Sequence, residues 1–339
     1  MVELKTNRSW IIGILIAVNS AYFLSKDKGK HATNKLGILG FDIPDVVCFS
    51  PSELAVPIEQ LSFSTGVILF ICALSHFLRQ AVDQYVSDSL IRILLQEAIA
   101  AADLCGCCFE LIVVADNYGV WMYALYLFLL TIWWAVDWGD ANACPNIQLE
   151  DVILGKQDSQ TSLTKIWAQL TGGIFVFRLM QYIWSLELIE NHEKRALEEC
   201  TADLQVSIWH GFLVEGGGTL LCQLVSKIVA EVAPKYGIFI ESFIGTAAVV
   251  AAFDRTGGYF NPALATSLKY GCEGNTLKEH IVVYWVGGCL GSALSVVIYH
   301  RTPLHSIFSK LSHKKEPDAT QVNSTKAEMD YSGFWGKAD

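Results

Sequence analysis

The stretch from Tyr259 to Cys272 reads YFNPALATSLKYGC, and within it Asn261 and Pro262 mark the start of a short helix. Asparagine is a good helix N-cap, and proline is tolerated at the first helical position because that N–H has no partner inside the helix. The predicted helix runs to Tyr270 and stops at Gly271. About two turns are far fewer than the roughly 20 residues that a transmembrane helix needs. The stretch therefore predicts a half-helix that cannot cross a bilayer alone.

The rest of the chain has the composition of a polytopic membrane protein. Of its 339 residues, 52% are hydrophobic and 17% are charged, and the net charge of −10 argues against nucleic-acid binding. Six successive apolar segments are long enough, or nearly so, to span a bilayer. These predicted spans are 90–114, 120–138, 163–188, 207–232, 236–253 and 279–300. The sequence therefore predicts an all-α membrane protein.

Two further apolar stretches precede the six spans. Residues 61–80 form an extra hydrophobic helix of spanning length, and residues 10–24 fit a signal peptide and a short anchor about equally well. We divide the chain into an N-terminal signal or anchor-like segment with a polar stretch (1–60), the extra helix, a channel domain (90–300) and a polar, disordered tail (301–339).

The positive charges near the extra helix predict its orientation. Arg79 and Arg92 fall in one short hairpin, which the positive-inside rule places in the cytosol. Residues 25–60 are then luminal and the C-terminal tail is cytosolic. The four lysines within 26–35 count against this orientation.

The channel domain contains a repeat. Glu97 precedes Cys144 by 47 positions, and Glu215 precedes Asn261 by 46 positions. A proline follows both Cys144 and Asn261. Each half holds three predicted spans, and an odd number of spans places the two halves in opposite orientations. Inverted repeats of this kind are typical of transport proteins. The predicted repeats are 90–188 and 207–300.

The repeat predicts two half-helices that enter the membrane from opposite faces. Irregular backbone at that depth must be buried in protein or line a watery cavity. The N-terminus of each half-helix carries a partial positive charge, and two such ends in one narrow path repel cations, protons included. The amide of Asn261 is then a hydrogen-bond donor for a neutral solute at the narrowest point.

These motifs resemble those of the aquaporin family. YFNPALATSL (259–268) resembles its second Asn-Pro-Ala box, and ACPNIQLEDVIL (143–154) resembles a degenerate first box. WAQLTGGIFVF (167–177) and YWVGGCLGSALSVVIY (284–299) are similar to its third and sixth spans. The resemblance covers residues 90–300 and assigns the two boxes to Cys144, Pro145, Asn146, Asn261, Pro262 and Ala263.

Within the family, the sequence resembles the superaquaporin branch, of the aquaporin-11 and -12 type. The first span reads EAIAAADLCGCCFEL (97–111), with a cysteine cluster and a second glutamate, Glu110. The first box is altered to Cys-Pro-Asn, as in invertebrate members, while the second is intact. Leu264 follows the second box, where water-selective members have arginine.

The resemblance implies roles for further residues. Glu97 and Glu215 are expected to hold the backbone of the loops before the half-helices. Counting from Asn261, the selectivity constriction falls on Val249, Gly258, Leu264 and a fourth residue around Tyr123 to Tyr126. With no arginine or histidine there, we expect a wide, apolar constriction.

One departure from the family concerns Cys144. A thiol is a weak donor and a poor helix cap, so one of the two central amides is missing. Asn142 and Asn146 are candidates to replace the missing amide, but neither is at the cap position.

The predicted function is a passive channel for water and small uncharged solutes, with glycerol and hydrogen peroxide as candidates. The resemblance implies a homotetramer in an intracellular membrane, the endoplasmic reticulum above all. The main alternative is a non-conducting or gated protein with an organising role, because the first box is altered. A secondary transporter also uses inverted repeats, but the spacing of the two boxes argues against one.

Enzymatic activity, a cofactor and a metal site are not predicted. The sequence has no Gly-x-Ser-Gly nucleophile motif, no His-Glu-x-x-His motif and no two Cys-x-x-Cys motifs at zinc spacing. Its cysteines lie mostly in apolar runs, where they act as small packing residues. Cys200 and Cys272 lie in polar loops, and the sequence leaves open whether they pair.

Overall fold

The computed structural model describes residues 51–301, with side chains from residue 59 onward. This part of the chain is helical and has no strand, with one isolated bridge between Thr201 and Glu273. Two of its helices are short, α4 (Pro145–Ile153) and α8 (Pro262–Lys269). The long helices are α1 (Pro51–Tyr85), α2 (Ser89–Tyr118), α3 (Val120–Asp137), α5 (Ser159–Ser185), α6 (Ile208–Val232), α7 (Gly237–Thr256) and α9 (Leu277–Arg301).

The long helices confirm the predicted membrane architecture. Six of them, all but α5, are long and apolar enough to cross a membrane by length and composition. Helix α5 has 27 residues, also enough to span, but it is more polar. The protein is therefore an integral, all-α membrane protein with six core helices, two half-helices and one additional helix. Helix α9 carries a π-helical segment at Ile281–Gly287.

Helix α1 is longer than the extra helix predicted at 61–80. It has 35 residues and ends at Tyr85, and three residues separate it from the start of α2 at Ser89. Asp88 caps α2, accepting a hydrogen bond from the Ile91 N–H at 2.9 Å. The predictions for residues 1–50 and 302–339, including a signal peptide or anchor at 10–24, lie outside the described residues.

Helix α5 begins with the same cap as α2. Asp158 accepts hydrogen bonds from the backbone N–H and the hydroxyl of Thr161, at 2.9 and 2.6 Å. These two bonds hold the pKa of the exposed Asp158 carboxyl below its usual value. The first and third core helices therefore both begin at an aspartate N-cap, a position at which this residue type is strongly preferred.

Helix α1 packs as an integral part of the bundle. Leu61, Ile68 and Ile71 are buried against α2 and its neighbours. The Thr65 hydroxyl lies 2.6 Å from that of Tyr126 on α3. At the other end of α1, Arg79 donates to the backbone carbonyl of Asp137. Apolar burial and polar contacts with α3 therefore fix α1 at both ends.

Glycines bring equivalent helix pairs into close contact in the two repeats. A Cβ on Gly172 of α5 would lie 2.0 Å from the Ala98 carbonyl oxygen of α2. A Cβ on Gly291 of α9 would lie 2.1 Å from the Gly216 carbonyl oxygen of α6. Small residues allow such approaches between membrane helices. The repeat seen in the sequence is therefore also a repeat of helix packing.

The two ends of the described chain lie at opposite faces of the bundle. Gln60, near the start of α1, donates to Glu190 in the 186–207 loop at 3.1 Å. Helix α9 starts from the same face, because a disulfide joins Cys272 to Cys200 of that loop. Arg301 ends α9 at the other face. This relative placement is the one that the predicted topology requires.

Candidate functional site: the half-helix junction and the pore

Glu97 supports the loop before the first half-helix. Its Oε2 accepts hydrogen bonds from the backbone N–H groups of Asn142 (3.4 Å) and Ala143 (3.0 Å). Two glutamine side chains, Gln148 and Gln169, also donate to the carboxylate, at 3.3 and 3.0 Å. Glu97 is buried, so these donors satisfy a carboxylate that would otherwise be costly inside a membrane.

Glu215 has the same position in the second repeat. Its carboxylate accepts from the backbone N–H groups of Tyr259 (3.2 Å) and Phe260 (2.7 Å). The Thr256 hydroxyl donates to it at 2.6 Å. Glu97 therefore relies on two side-chain amides, whereas Glu215 relies on one hydroxyl from the end of α7.

The residue before the N-cap of each half-helix has an unusual backbone conformation. Ala143 has a φ of +52° and Phe260 has a φ of +49°, both in the left-handed region that non-glycine residues rarely adopt. Each of these residues also donates its N–H to the glutamate of its own repeat. The glutamates thus hold the strained residues that turn the chain into the half-helices.

The two half-helices begin with almost the same backbone but different caps. The φ and ψ angles are −138° and 116° at Cys144, and −143° and 110° at Asn261. The Asn261 side chain accepts from the N–H groups of Ala263 (3.0 Å) and Leu264 (3.3 Å). The Cys144 side chain makes no cap hydrogen bond. The first half-helix therefore starts without a side-chain cap.

Two side-chain amides cross between the repeats. Asn261 donates its Nδ2 to the Ala143 carbonyl at 2.9 Å, and Asn146 donates its Nδ2 to the Phe260 carbonyl, also at 2.9 Å. Each carbonyl belongs to the strained residue of the opposite half. Asn146 was predicted as part of the first box, but this bond was not, because its amide follows the proline instead of preceding it.

Gln148 is a second residue that the sequence analysis missed. It is fully buried on α4, and its Nε2 donates to Asn142 Oδ1 at 2.9 Å as well as to Glu97. Asn142 is therefore part of the support for the loop and does not replace the missing cap. A glutamine four residues after the cap position was the available signal.

A cavity of about 850 Å³ leads from the face with the disulfide toward the junction. Four of the five predicted constriction residues line it: Tyr123, Val249, Gly258 and Leu264, and Asn261 of the second box lies among the lining residues as well. Of the two tyrosines that bracket the predicted fourth position, Tyr126 does not line the cavity: it is fully buried, and its hydroxyl contacts Thr65 of α1.

Gly258 is required at its position by both conformation and space. Its φ is +63°, and a Cβ there would lie 2.8 Å from the Val249 carbonyl oxygen. Val249 and Gly258 thus contact each other directly across the cavity wall. A side chain at residue 258 is therefore excluded, so of these four lining residues only Tyr123, Val249 and Leu264 bring side chains to the cavity.

The mouth of the cavity is polar and charged. Arg195 pairs with Asp116 at 2.9 Å, and Lys269 pairs with Asp203 at 2.8 Å. The Tyr259 hydroxyl donates to Asp203 at 2.5 Å. Charged groups therefore surround the entrance, whereas the deeper wall at Val249 and Leu264 is apolar.

The other face of the junction holds a buried ion pair. Glu150 of α4 accepts from Lys227 Nζ at 2.6 Å and from the Ser292 and Ser295 hydroxyls at 2.6 and 3.2 Å. Lys227 also donates to Ser295 at 3.1 Å. This network joins α4 to α6 and α9. It was not expected from the sequence, because its charges come from separate segments.

The comparison with known proteins identifies the class and then the family. No family model matches the chain. Aquaporin-11 of Milnesium tardigradum is 29% identical over 232 residues, covering 68% of this chain and 84% of that protein. Aquaporin-12 of Mus musculus is 29% identical over 259 residues, covering 74% and 89%. Aquaporin-12A of Homo sapiens is 30% identical over 198 residues, covering 58% and 67%.

Together with the fold, these similarities define a membrane channel protein. The chain belongs to the aquaporin family, in its superaquaporin branch, as its motifs indicated. Aquaporins are channels and not enzymes, so the predictions of the family and of a non-enzymatic protein are confirmed.

Proposed function

We propose that the protein is a passive channel for water and small uncharged solutes. The observation that carries this proposal is the 850 Å³ cavity, which runs from the charged mouth past Val249 and Leu264 to Asn261. The proposed pore residues are those of the two boxes, and the proposed constriction is Tyr123, Val249, Gly258 and Leu264.

The chemistry of this constriction favours neutral solutes. None of its four residues is charged, so an ion that passes would lose hydration without gaining a partner, which is costly. The positive ends of α4 and α8 point to the same junction and oppose cations further. Leucine in place of arginine at residue 264 also leaves room for solutes larger than water. Glycerol and hydrogen peroxide are therefore the proposed solutes beside water.

Stopped-flow measurements on proteoliposomes with the purified chain test this proposal. We expect faster shrinkage than in empty liposomes with water, and measurable uptake of glycerol or peroxide. Leu264→Arg should lower glycerol flux more than water flux, because the new side chain narrows and charges the constriction. Leu294→Ala, at an exposed position of α9 outside the cavity, is the matched control and should change neither flux.

A closed or non-conducting protein is the second candidate, and one observation favours it. The residues that line the cavity include none from α4, and the Glu150–Lys227 pair joins α4 to α6 on that side. Water and glycerol fluxes that stay at the level of empty liposomes, in protein shown to be folded, would favour this candidate. Flux that appears only in Lys227→Met would indicate a gate at the ion pair.

We propose that the chain forms a homotetramer with one pore per chain and resides in the endoplasmic reticulum membrane. Both proposals rest on the family, since the contacts described here lie within one chain. Native mass spectrometry from detergent checks the first, and co-localisation of the expressed chain with a marker of the endoplasmic reticulum checks the second. A monomer, or a chain at the plasma membrane, would contradict them.

A further inference from the structure

A buried cluster of metal-ligand atoms lies between the additional helix and the first core helix. It consists of Cys72 on α1 with Asp103 and Cys107 on α2, and all three side chains are at most 4% exposed. Their ligand atoms lie within 4.8 Å of one another. The two sulfurs are 3.7 Å apart, and Cys107 Sγ is 3.5 Å from Asp103 Oδ1. The cluster is separate from the cavity and from both boxes.

Two of the three ligand separations match a tetrahedral zinc site, and the third, between Cys72 and Asp103, is within 4.8 Å. Zinc binds thiolate sulfur at about 2.3 Å and carboxylate oxygen at about 2.0–2.2 Å. At tetrahedral angles, these bond lengths place two sulfurs about 3.8 Å apart and a sulfur and an oxygen about 3.5 Å apart. Both measured separations agree with these values before any side chain moves. Three protein ligands leave the fourth position of the metal for a water molecule.

The surroundings of Asp103 are a second, independent observation. The carboxylate is 1% exposed and accepts hydrogen bonds from the indole N–H of Trp138, at 3.0 Å, and from the weakly donating thiol of Cys107, with the Ser75 hydroxyl and the Cys72 thiol beside it. Within residues 59–301, no lysine, arginine or histidine forms an ion pair with it. Buried charges in proteins are normally paired or coordinate a metal. A divalent cation would supply the missing positive charge.

We propose that Cys72, Asp103 and Cys107 bind one Zn²⁺ ion, which joins α1 to α2. On binding, the two thiols lose their protons to solvent and two Zn–S bonds and one Zn–O bond form. The ion replaces the two released protons, so the net charge of the site does not change. Trp138 contacts Asp103 and also lines the cavity, so this indole lies between the site and the cavity.

The sequence predicted no metal site because the three ligands do not form a local motif. Cys72 and Asp103 are 31 positions apart and lie on different helices. Cys105 and Cys108 have the familiar Cys-x-x-Cys spacing on α2, but they are not members of the cluster. The packing of α1 on α2 is what brings the three ligands together, so the additional helix is needed to form the site.

Zinc content of the purified, full-length chain tests the proposal. After treatment with a chelator and reloading with Zn²⁺, the parent should hold about one ion per chain by plasma mass spectrometry. Cys72→Ala and Cys107→Ala should each lose that ion. Cys108→Ala is the matched control, a buried cysteine one residue from Cys107 and outside the cluster, and should keep it. Equal zinc in all four proteins, or none in the parent, would overturn the proposal.

A measurement on the unmodified protein covers the case in which the variants fail to fold. Alkylation followed by peptide mass spectrometry should show Cys72 and Cys107 protected together in the presence of Zn²⁺ and modified together after chelation. The reactivity of Cys105 and Cys108 should not depend on Zn²⁺. Protection that does not depend on Zn²⁺, or a disulfide between Cys72 and Cys107 in freshly isolated protein, would refute a metal site.

Discussion

The two half-helices start with the same backbone and achieve their hydrogen bonds in different ways. In the second box, Asn261 performs two tasks, since its Oδ1 caps α8 and its Nδ2 crosses to the opposite half. In the first box, Asn146 makes the crossing bond, and the side chain of the N-cap residue Cys144 makes no cap hydrogen bond. The crossing bonds are therefore kept in both halves, and the cap is kept in one.

This difference shows which part of a box sequence the structure depends on. The swapped order in Cys144-Pro145-Asn146 moves the amide by two positions, yet it still reaches the strained residue of the other repeat. Cysteine in place of the first asparagine of the box therefore removes a helix cap but keeps the hydrogen-bonded contact between the two repeats. The far ends of the half-helices differ too, because a disulfide follows α8 at Cys272 and an ion pair holds α4 at Glu150.

The largest expected loss of stability comes from removing the glutamate that supports the loop before one half-helix. Glu215→Leu leaves the N–H groups of Tyr259 and Phe260 and the Thr256 hydroxyl without their partner. Buried unsatisfied groups cost about 1–3 kcal/mol each, so we expect a loss of roughly 3–9 kcal/mol and little folded protein. Yield of monodisperse protein in size-exclusion chromatography measures the effect.

Glu215→Gln is the control for this prediction, because it keeps the shape and one accepting oxygen. It should lower the yield less than Glu215→Leu does. Similar yields and fluxes for the two variants would show that Glu215 does not support the loop.

Loss of the disulfide near α8 should cause the second largest decrease in stability. Cys200→Ser removes a disulfide that closes a 72-residue separation, and removal of such a bond typically costs about 2–4 kcal/mol. We expect a lower thermal midpoint for the purified chain, and no further decrease when a reductant is added to the variant. Cys222→Ser, which changes a free cysteine of α6, is the control and should behave like the parent. A parent whose midpoint does not respond to reductant would contradict the prediction.

Truncating the two cap residues compares the boxes directly. Asn261→Ala removes two cap bonds and one crossing bond, and we expect it to destabilise the protein by about 1–2 kcal/mol. Cys144→Ala removes no cap bond and should cost less than about 0.5 kcal/mol. Thermal midpoints in the same detergent report both values. Equal losses would mean that the two starts are equivalent in energy, contrary to their hydrogen bonds.

The last substitution is expected to stabilise the first half by a modest amount. Cys144→Asn supplies a good cap at a residue whose φ and ψ already match those of Asn261, so we expect a stabilisation of about 1 kcal/mol. If the missing cap limits conduction, water flux in proteoliposomes should rise as well. Cys144→Ser is the companion variant: serine caps a helix about as well as asparagine does, so it should give a similar stabilisation without adding a side-chain amide. A variant with unchanged midpoint and flux would show that Asn146 already compensates for the altered box.

The sequence predicted the parts of the fold that follow from local pattern. The length of the apolar segments predicted the core helices, and the Asn-Pro pair predicted the start of α8 and its cap at Asn261. The spacing from Glu97 and Glu215 to the boxes indicated the repeat, and the resemblance to the aquaporin family implied the loops in which both glutamates have backbone partners. Each of these features depends on residues within one helix or on a repeat that the chain itself displays.

The rest depends on how helices pack. Tyr123 and Tyr126 lie about 60° apart around α3, so the sequence alone could not decide which one faces the cavity. Contact with Thr65 of α1 settles the direction of Tyr126. The crossing bond of Asn146, the Glu150–Lys227 pair and the cysteine cluster at Cys72 likewise join segments that are far apart in the chain.

The Cys200–Cys272 disulfide has a consequence for the order in which the protein is made. The bond joins the loop before α6 to the segment after α8, so it can close only after α6, α7 and the half-helix have been threaded into place. Disulfides form in oxidising compartments, so both segments must also have reached the non-cytosolic side. A closed bond therefore records that α6, α7 and α8 of the second repeat are in place, whereas two free thiols here mark a chain in which this step has not been completed.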